Sequence, residues 1–389
     1  MPFMQSAPVL AIRRRPRVRR LILQDFRSYA RLDLALEGFV VALVGENGVG
    51  KTNLIEALSL FTPGRGLRRA QISECARSDG AGGFAAAIHI EDDGEARQLG
   101  TGLELGADGP ARVNRIDRAP ASSTRAFADH LRIVWLTPAM DGLFTDTAGE
   151  RRRFLDRLVL AVDPAHGARV TQLERALRGR NRLLEEGARN MQWLEAIERE
   201  AAELAVAVAA ARHECVTRLK AMIALERDDS SPFPWADLAL EGEVERLVAE
   251  MPALAVEERY RAILRENRGR DAAAGRTLVG PHLGDLKAWH GPKGAPAAQA
   301  STGEQKALLV GLVIAHARLV AEMSGMSPLV LLDEIAAHFD PRRRAALFEA
   351  LERIGGQVFM TGADPAAFAG LEGRAQVLEV TPGCVAARG

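Results

Sequence analysis

Near its N-terminal end the chain carries the two-residue hydrophobic period of half-buried strands: Arg19–Phe26 alternates partly and Leu32–Leu36 cleanly. Phe39–Val44 differs, being a continuous apolar run rich in β-branched residues, which suits a strand buried on both faces. The run stops at Gly45, and after Lys51 and Thr52 the segment Asn53–Leu60 takes up helical periodicity. The order is strand, glycine loop, helix. Residues 84–90 and 99–105 predict further strands, with Asp93-Gly94 as a turn signal, and 131–136 is again apolar and β-branched.

From about 150 to 228 glycine becomes sparse and Leu173, Leu177, Leu184, Leu194, Ile197 and Leu204 recur at helical spacing. The pattern predicts a helical insertion in the form of an antiparallel helix pair, far too short for a long coiled-coil arm. Ser230-Ser231-Pro232-Phe233-Pro234 breaks it, and Val244–Asn267 is helical again. A sheet pattern returns at Thr277–Pro281. Beyond a Gly/Pro/Ala loop at 291–300 come a helix from Glu304 to about Met323, a strand at Leu329–Leu332, a helix at Arg342–Ile354 and a strand at Gln357–Thr361. The expected organisation is an α/β domain in two parts, 18–140 and 273–389, interrupted by a mainly helical domain at 141–272. Residues 1–17, with Pro2, Pro8 and Pro16, read as a poorly ordered extension.

Composition narrows this picture a little. The 389 residues are enough for about two or three domains, and 47% hydrophobic with 26% charged residues is ordinary for a globular chain. No apolar run approaches the roughly 20 residues needed to span a bilayer, so an integral membrane protein is not expected. The first twenty residues are basic but lack the apolar stretch and cleavage site of a secretory signal. Cys75, Cys215 and Cys384 lack metal-ligand spacing and read as reduced residues of a cytosolic protein. Net charge is +0, so any affinity for nucleic acid rests on local clusters: Arg13–Arg20, Arg151–Arg153 and Arg342–Arg344. Each cluster alone reads as solvated surface.

The chemistry sits at three places. Gly45, Glu46, Asn47, Gly48, Val49, Gly50, Lys51 and Thr52 match G-x-x-x-x-G-K-[ST] in full, with Asn53 next in line. Glycines let successive backbone N–H groups curl round an anion, and the following helix directs its positive end at it. Lys51 is the counter-charge to β- and γ-phosphate, and Thr52 a hydroxyl ligand for Mg²⁺. The strand at Leu329–Leu332 runs into Asp333 and Glu334; Asp333 is expected to hold Mg²⁺ through water and Glu334 to activate the attacking water as general base. Ser301-Thr302-Gly303-Glu304-Gln305 opens a helix and makes a second anion-binding end from Ser301, Gly303 and Gln305. By itself that segment is only a helix cap; its place before the acidic strand gives it weight.

Lys51 and Asp333 stand 282 positions apart, far more than in small GTPases or recombinase cores. A split ATPase with a large insertion and a serine signature before its acids resembles the ABC-type head of SMC proteins. In that class the signature of one protomer touches the γ-phosphate held by another, so that ATP joins a dimer. Within the class the chain resembles the RecF family of bacterial DNA repair proteins from about 18 to 380. The most family-specific segments are Arg152–Asp156 and Thr277–His282, supported by Glu150-Arg151, Asp285-Leu286, Phe26-Arg27-Ser28-Tyr29 and Leu332-Asp333-Glu334.

The resemblance implies an ABC-type P-loop ATPase head with a mixed sheet and flanking helices, and a recombination mediator that dimerises on ATP at gapped or duplex DNA. It also implies slow hydrolysis, RecR and RecO as partners in loading the RecA recombinase, ATP and Mg²⁺ as cofactors, and no membrane partner. Arg27 and Arg151–Arg153 are candidates for DNA phosphates, for a salt bridge or for the nucleotide. Related heads commonly place a His after the last core strand; here Gly362 follows Thr361, which leaves Asp364 as candidate γ-phosphate sensor. A transporter ATPase shares the motifs but not the large insertion, a long-armed chromosome protein needs a longer heptad array, and an overcoming-lysogenization-type nuclease needs a C-terminal nuclease domain.

Overall fold

A computed structural model describes residues 14–107, 109–187, 190–335 and 339–387. Along the chain run β1 (Arg17–Phe26), β2 (Tyr29–Ala35), β3 (Val40–Val44), α1 (Lys51–Ser59), β4 (Phe84–Asp92), β5 (Glu95–Gly106), β6 (Gly109–Ile116), β7 (Ala119–Pro120) and β8 (Ile133–Leu136). There follow α2 (Ala148–Val162), α3 (His166–Glu185), α4 (Met191–Leu225), β9 (Ala236–Glu241), α5 (Glu243–Glu250), α6 (Ala253–Glu266), α7 (Arg268–Ala274), β10 (Asp285–His290) and β11 (Ala295–Pro296). The chain closes with α8 (Thr302–Ser324), β12 (Leu329–Leu332), α9 (Pro341–Ile354), β13 (Val358–Gly362), β14 (Ala375–Thr381) and β15 (Cys384–Ala387). By compactness it divides in two. The first unit takes the described residues up to Asp141, Ser230–Phe233 and those from Leu309 onward; the second takes Gly142–Asp229 and Pro234–Leu308.

The first unit holds two six-stranded sheets, one antiparallel in the order β2-β1-β4-β5-β6-β7 and one in the order β15-β14-β3-β13-β12-β8. The second sheet is parallel except for β15. Every residue of β3, β8, β12 and β13 is buried, as expected of parallel strands covered on both faces. β1 instead buries about every second residue. A single core cluster contains Leu21 and Leu23 of β1, Ile88 of β4, Leu54 and Leu58 of α1, Leu331 of β12 and Phe359 of β13. Gln357, fully buried, stitches the sheets together with its side chain: Oε1 accepts from Val18 N (2.7 Å), and Nε2 donates to Val18 O (3.1 Å) and Gly38 O (2.9 Å). The buried amide thus replaces ladder partners that two separate sheets cannot offer each other.

The second unit combines helices with a three-stranded sheet, β11-β10-β9. Its cross-links are buried arginines. Arg180 of α3 is 0% exposed and donates to Glu198 (3.1 Å), Asp271 (2.7 Å), Thr277 Oγ1 (3.0 Å) and Leu264 O (2.7 Å). Arg212 of α4 grips Asp156 with two bonds (2.8 and 2.9 Å) and donates to Pro281 O (2.6 Å). Arg151 makes a two-bond pair with Asp285 (2.7 Å each), and Arg152 donates to Gly284 O (2.7 Å). The segments that carry the family resemblance, 150–156 and 276–286, are therefore tied to each other, the most family-specific parts of each through Arg212.

Several expectations are corrected here. The helix pair of 150–228 is three helices, and Val244–Asn267 is broken at Pro252, where ring geometry bars continuation of α5. Thr277–Pro281 forms no strand. Its backbone is held by side chains instead: Tyr260 Oη donates to Val279 O (2.7 Å), and Leu278 N donates to Asp271 (3.0 Å). The strand lies further on, at β10, and belongs to the second unit, which runs to Leu308 rather than 272. The extension expected over 1–17 lies outside the described residues up to residue 13, but Arg14 pairs with Asp92 (2.5 Å) and bridges Met326, and β1 starts at Arg17. α8 is also long and apolar enough by composition to cross a bilayer, yet 67% of its most apolar window is buried inside the protein, which is how a core helix is made.

Removing Arg180 leaves Asp271 and Glu198 buried without their shared cation. Arg180→Met is expected to destabilise the second unit by roughly 3–5 kcal/mol, read as a lower urea midpoint and lost amide protection in α3 and α7. Arg178→Ala, whose exposed pair with Glu174 spans 3.7 Å, should leave both readouts near wild type.

Candidate nucleotide site

The glycine loop leaves the carboxyl end of β3 in the first unit. Gly45 has backbone on one side, so that a Cβ there would lie 2.2 Å from Val380 O. Gly50 caps α1 at φ +114°, and a Cβ on it would lie 2.8 Å from Ser28 Oγ and 2.9 Å from Tyr29 Oη. Only glycine meets both demands. Glu46, Asn47 and Gly48 form the exposed crest, with Val49 half-buried. α1 begins with no side-chain cap and no acidic residue in its first turn. Its free N–H groups and positive end are thus open to an anion.

Lys51 is 4% exposed and donates from Nζ to Gly45 O and Glu46 O, both at 2.7 Å. Burial lowers its pKa below the ordinary lysine value, against the opposing pull of Glu334 and then Asp333. The ammonium is folded onto its own loop beside the expected phosphate position.

The second half of the site lies across the sheet. β13 lies between β3 and β12. Parallel register pairs Leu43 with Thr361 and Leu332 with Met360, bringing the carboxyl ends of all three strands to one rim. There the Asp333 carboxylate accepts from Thr52 Oγ1 (2.9 Å to Oδ1, 3.2 Å to Oδ2) and from Thr361 Oγ1 (2.8 Å). Glu334 follows in the left-handed region, at φ +54°, and its N–H donates to Thr361 Oγ1 (2.9 Å). The donor set is an adjacent hydroxyl and carboxylate, hard oxygens that fit Mg²⁺ and give no reason to expect a softer metal. Because Thr52 gives its proton to Asp333, its oxygen lone pairs are left for a cation.

Ser301, Gly303 and Gln305 open α8 and belong to the second unit. Ser301 and Gly303 are exposed. Ser301 donates from both N (3.1 Å) and Oγ (2.9 Å) to Glu304, which is also paired with Lys293 (2.6 Å). The bonds from Lys293 and Ser301 drop the Glu304 pKa to about 2. Gln305 is buried, and its Nε2 donates to Ala300 O (2.8 Å) and Ala298 O (3.3 Å). That amide nitrogen is committed to fastening the loop before the helix.

The arginines divide differently from their sequence clusters. Arg27 takes the salt-bridge alternative, gripping Glu56 with two bonds (2.9 and 2.6 Å) and donating to Glu74 O (2.7 Å). Arg151, Arg152 and Arg153 are all engaged within the second unit, Arg153 with Glu150. Arg14, Arg19 and Arg20 pair with Asp92, Glu91 and Asp33. Asn53, read as a ligand, donates to Ser28 Oγ (2.8 Å) and accepts from Arg68 (2.6 Å), so its side chain braces the loop. Asp364 and Asp340 each accept a backbone N–H as caps, from Ala366 (2.8 Å) and Arg343 (3.0 Å).

Two residues of the site escaped sequence reasoning. Tyr29 is buried and its hydroxyl donates to Gly50 O (3.2 Å), holding the last turn of the loop. Thr361 was legible by the rule that picked Asp333: a polar residue ending an apolar strand.

A family profile described as RecF/RecN/SMC N-terminal domain matches residues 17–385. The protein described as DNA replication and repair protein RecF in Mesorhizobium japonicum is 54% identical over 368 residues, covering 95% of this chain and 97% of that one. Its counterpart in Brucella abortus is 54% identical over 380 residues, covering 96% and 97%. Among solved structures, the recombination mediator protein RecF with ATPrS in the RecFOR pathway superposes with a TM-score of 0.84 at 22% identity, covering 96% of this chain and 99% of that one. An Smc head domain from Pyrococcus furiosus superposes at 0.50 with 16% identity over 96% of each. A glycine loop and an acidic strand joined through Asp333, on a head fold shared with SMC proteins and at this identity over nearly its whole length, place the chain in the RecF family.

Proposed function

We propose that the chain is an ATP-dependent DNA-binding protein of recombinational repair and replication restart, and a weak ATPase whose nucleotide joins two copies on DNA. The observation that carries this reading is the Asp333 carboxylate bonded to Thr52 of the glycine loop, two halves of one site drawn from opposite ends of the sequence. The RecF name of the relatives and the RecF fold support the repair context. Gapped or duplex DNA as the substrate and RecR and RecO as partners in loading RecA follow from family membership.

In the proposed cycle the loop N–H groups and the α1 terminus take the phosphates, and Lys51 exchanges the carbonyls of Gly45 and Glu46 for phosphate oxygens. Thr52 and Asp333 would hold Mg²⁺, which would supply charge neutralisation at the phosphates. Glu334 takes a proton from water as general base. Ser301 and Gly303 of a second copy complete the γ-phosphate side, and Ser301 must then release Glu304. The composite site makes hydrolysis a consequence of dimerisation, so ATP binding assembles the DNA-bound form and hydrolysis resets it.

Binding to gapped, duplex and single-stranded DNA, with and without ATP, tests the reading directly. ATP should tighten wild-type binding at least tenfold, about 1.4 kcal/mol, and Lys51→Ala should abolish the gain. Equal binding in every arm would sink the switch. Glu334→Gln should retain ATP-dependent dimers in sedimentation while turnover falls on the order of 10²-fold or more. Ser301→Arg should still bind ATP as a monomer, and dimers that persist in this variant would contradict the shared site.

A further inference from the structure

The hydroxyl of Thr361 does two things at once. It donates to Asp333 Oδ1 (2.8 Å) and accepts the N–H of Glu334 (2.9 Å). Thr361 is 0% exposed, so neither bond competes with solvent, and a buried donor or acceptor left unmade is costly. Its position is fixed by the sheet, because β13 lies between the strand that feeds the glycine loop and the strand that ends in the acids. Glu334 has φ +54°, a backbone state uncommon for residues other than glycine that persists where the surroundings enforce it. The Thr361 oxygen is one such enforcement, acting on the N–H of that residue.

Resting on the proposed ATPase reading, we infer that Thr361 is a positioning residue that sets both acids from one atom. Its proton goes to the same Asp333 oxygen that Thr52 meets. Its lone pair takes the Glu334 N–H and so holds that backbone at its positive φ. A group that orients a metal-holding carboxylate commonly changes metal affinity or activity by about 10–100-fold when it is lost. No histidine follows the strand here, and Thr361 ties the carboxylate of one acid to the backbone of the other.

Thr361→Val keeps the shape and the strand propensity of the site and removes only the hydroxyl. Thr361→Ser keeps the hydroxyl and removes the methyl. Binding of a fluorescent ATP analogue is measured with EDTA and across a Mg²⁺ titration, and kcat and KM are measured separately. Thr361→Val should bind the analogue as wild type in EDTA, need on the order of 10-fold more Mg²⁺ for half-maximal tightening, and lose about 10–100-fold in kcat with KM within about threefold. Thr361→Ser should stay near wild type in every readout. A wild-type Mg²⁺ dependence in Thr361→Val overturns the inference, and so does a serine variant as impaired as the valine one, which would assign the effect to packing. If Thr361→Val does not fold, Thr361→Cys, a weak donor of similar size, stands in under the same criteria. Absence of hydrolysis in the wild-type protein would refute the ATPase reading, while the Mg²⁺ titration would still decide the role of Thr361.

Discussion

The register of three parallel strands is the constraint on which the site depends. β3, β13 and β12 run side by side, and their carboxyl ends finish at one rim. A slip of one residue would turn every side chain over, parting Asp333 from Thr52 or Thr361 from Asp333. Continuous apolar runs buried on both faces make such slips expensive, because each strand is anchored by three or four large buried apolar side chains worth roughly 1.5–3 kcal/mol apiece. The core therefore does more than stabilise the fold: it fixes the geometry at which hydroxyl meets carboxylate.

Charge follows the same economy of position. Of the arginine groups that stand out in the sequence, Arg151 and Arg152 are spent on part-buried bonds, while Arg14, Arg19, Arg20 and Arg153 pair at the surface. Arg151 and Arg152 lock 150–156 to 276–286, Arg180 and Arg212 link helices to an irregular segment, and Arg27 holds Glu56 beneath the glycine loop. A buried pair of this kind adds little net stability over an apolar contact, but losing one partner is severe. Such residues define where backbone goes when no ladder is available to it, as at Pro281 and Gly284. The family-specific look of these segments thus has one physical source in mutual fastening.

Sequence alone determined the parts whose physics is local. The glycine loop was legible because phosphate binding needs consecutive backbone N–H groups, a lysine and a hydroxyl at fixed spacing. The buried strands at 40–44, 329–332 and 358–362 were legible because two-sided burial leaves unbroken apolar runs. Asp333 was legible as the polar end of such a run, and the resemblance to RecF proteins was carried by motifs quoted along the chain. What only the tertiary structure decided was which side chains are already spent. The amides of Gln305 and Asn53, expected as ligands, fasten loops in this structure, and Thr277–Pro281 looks like a strand until Tyr260 and Asp271 are seen taking the place of ladder partners. Thr361 shows the reason most plainly: its meaning comes from a neighbour 28 positions away in sequence, supplied by the hydrogen bond to Asp333. Local pattern fixes what a residue can do, and long-range strand pairing fixes what it meets.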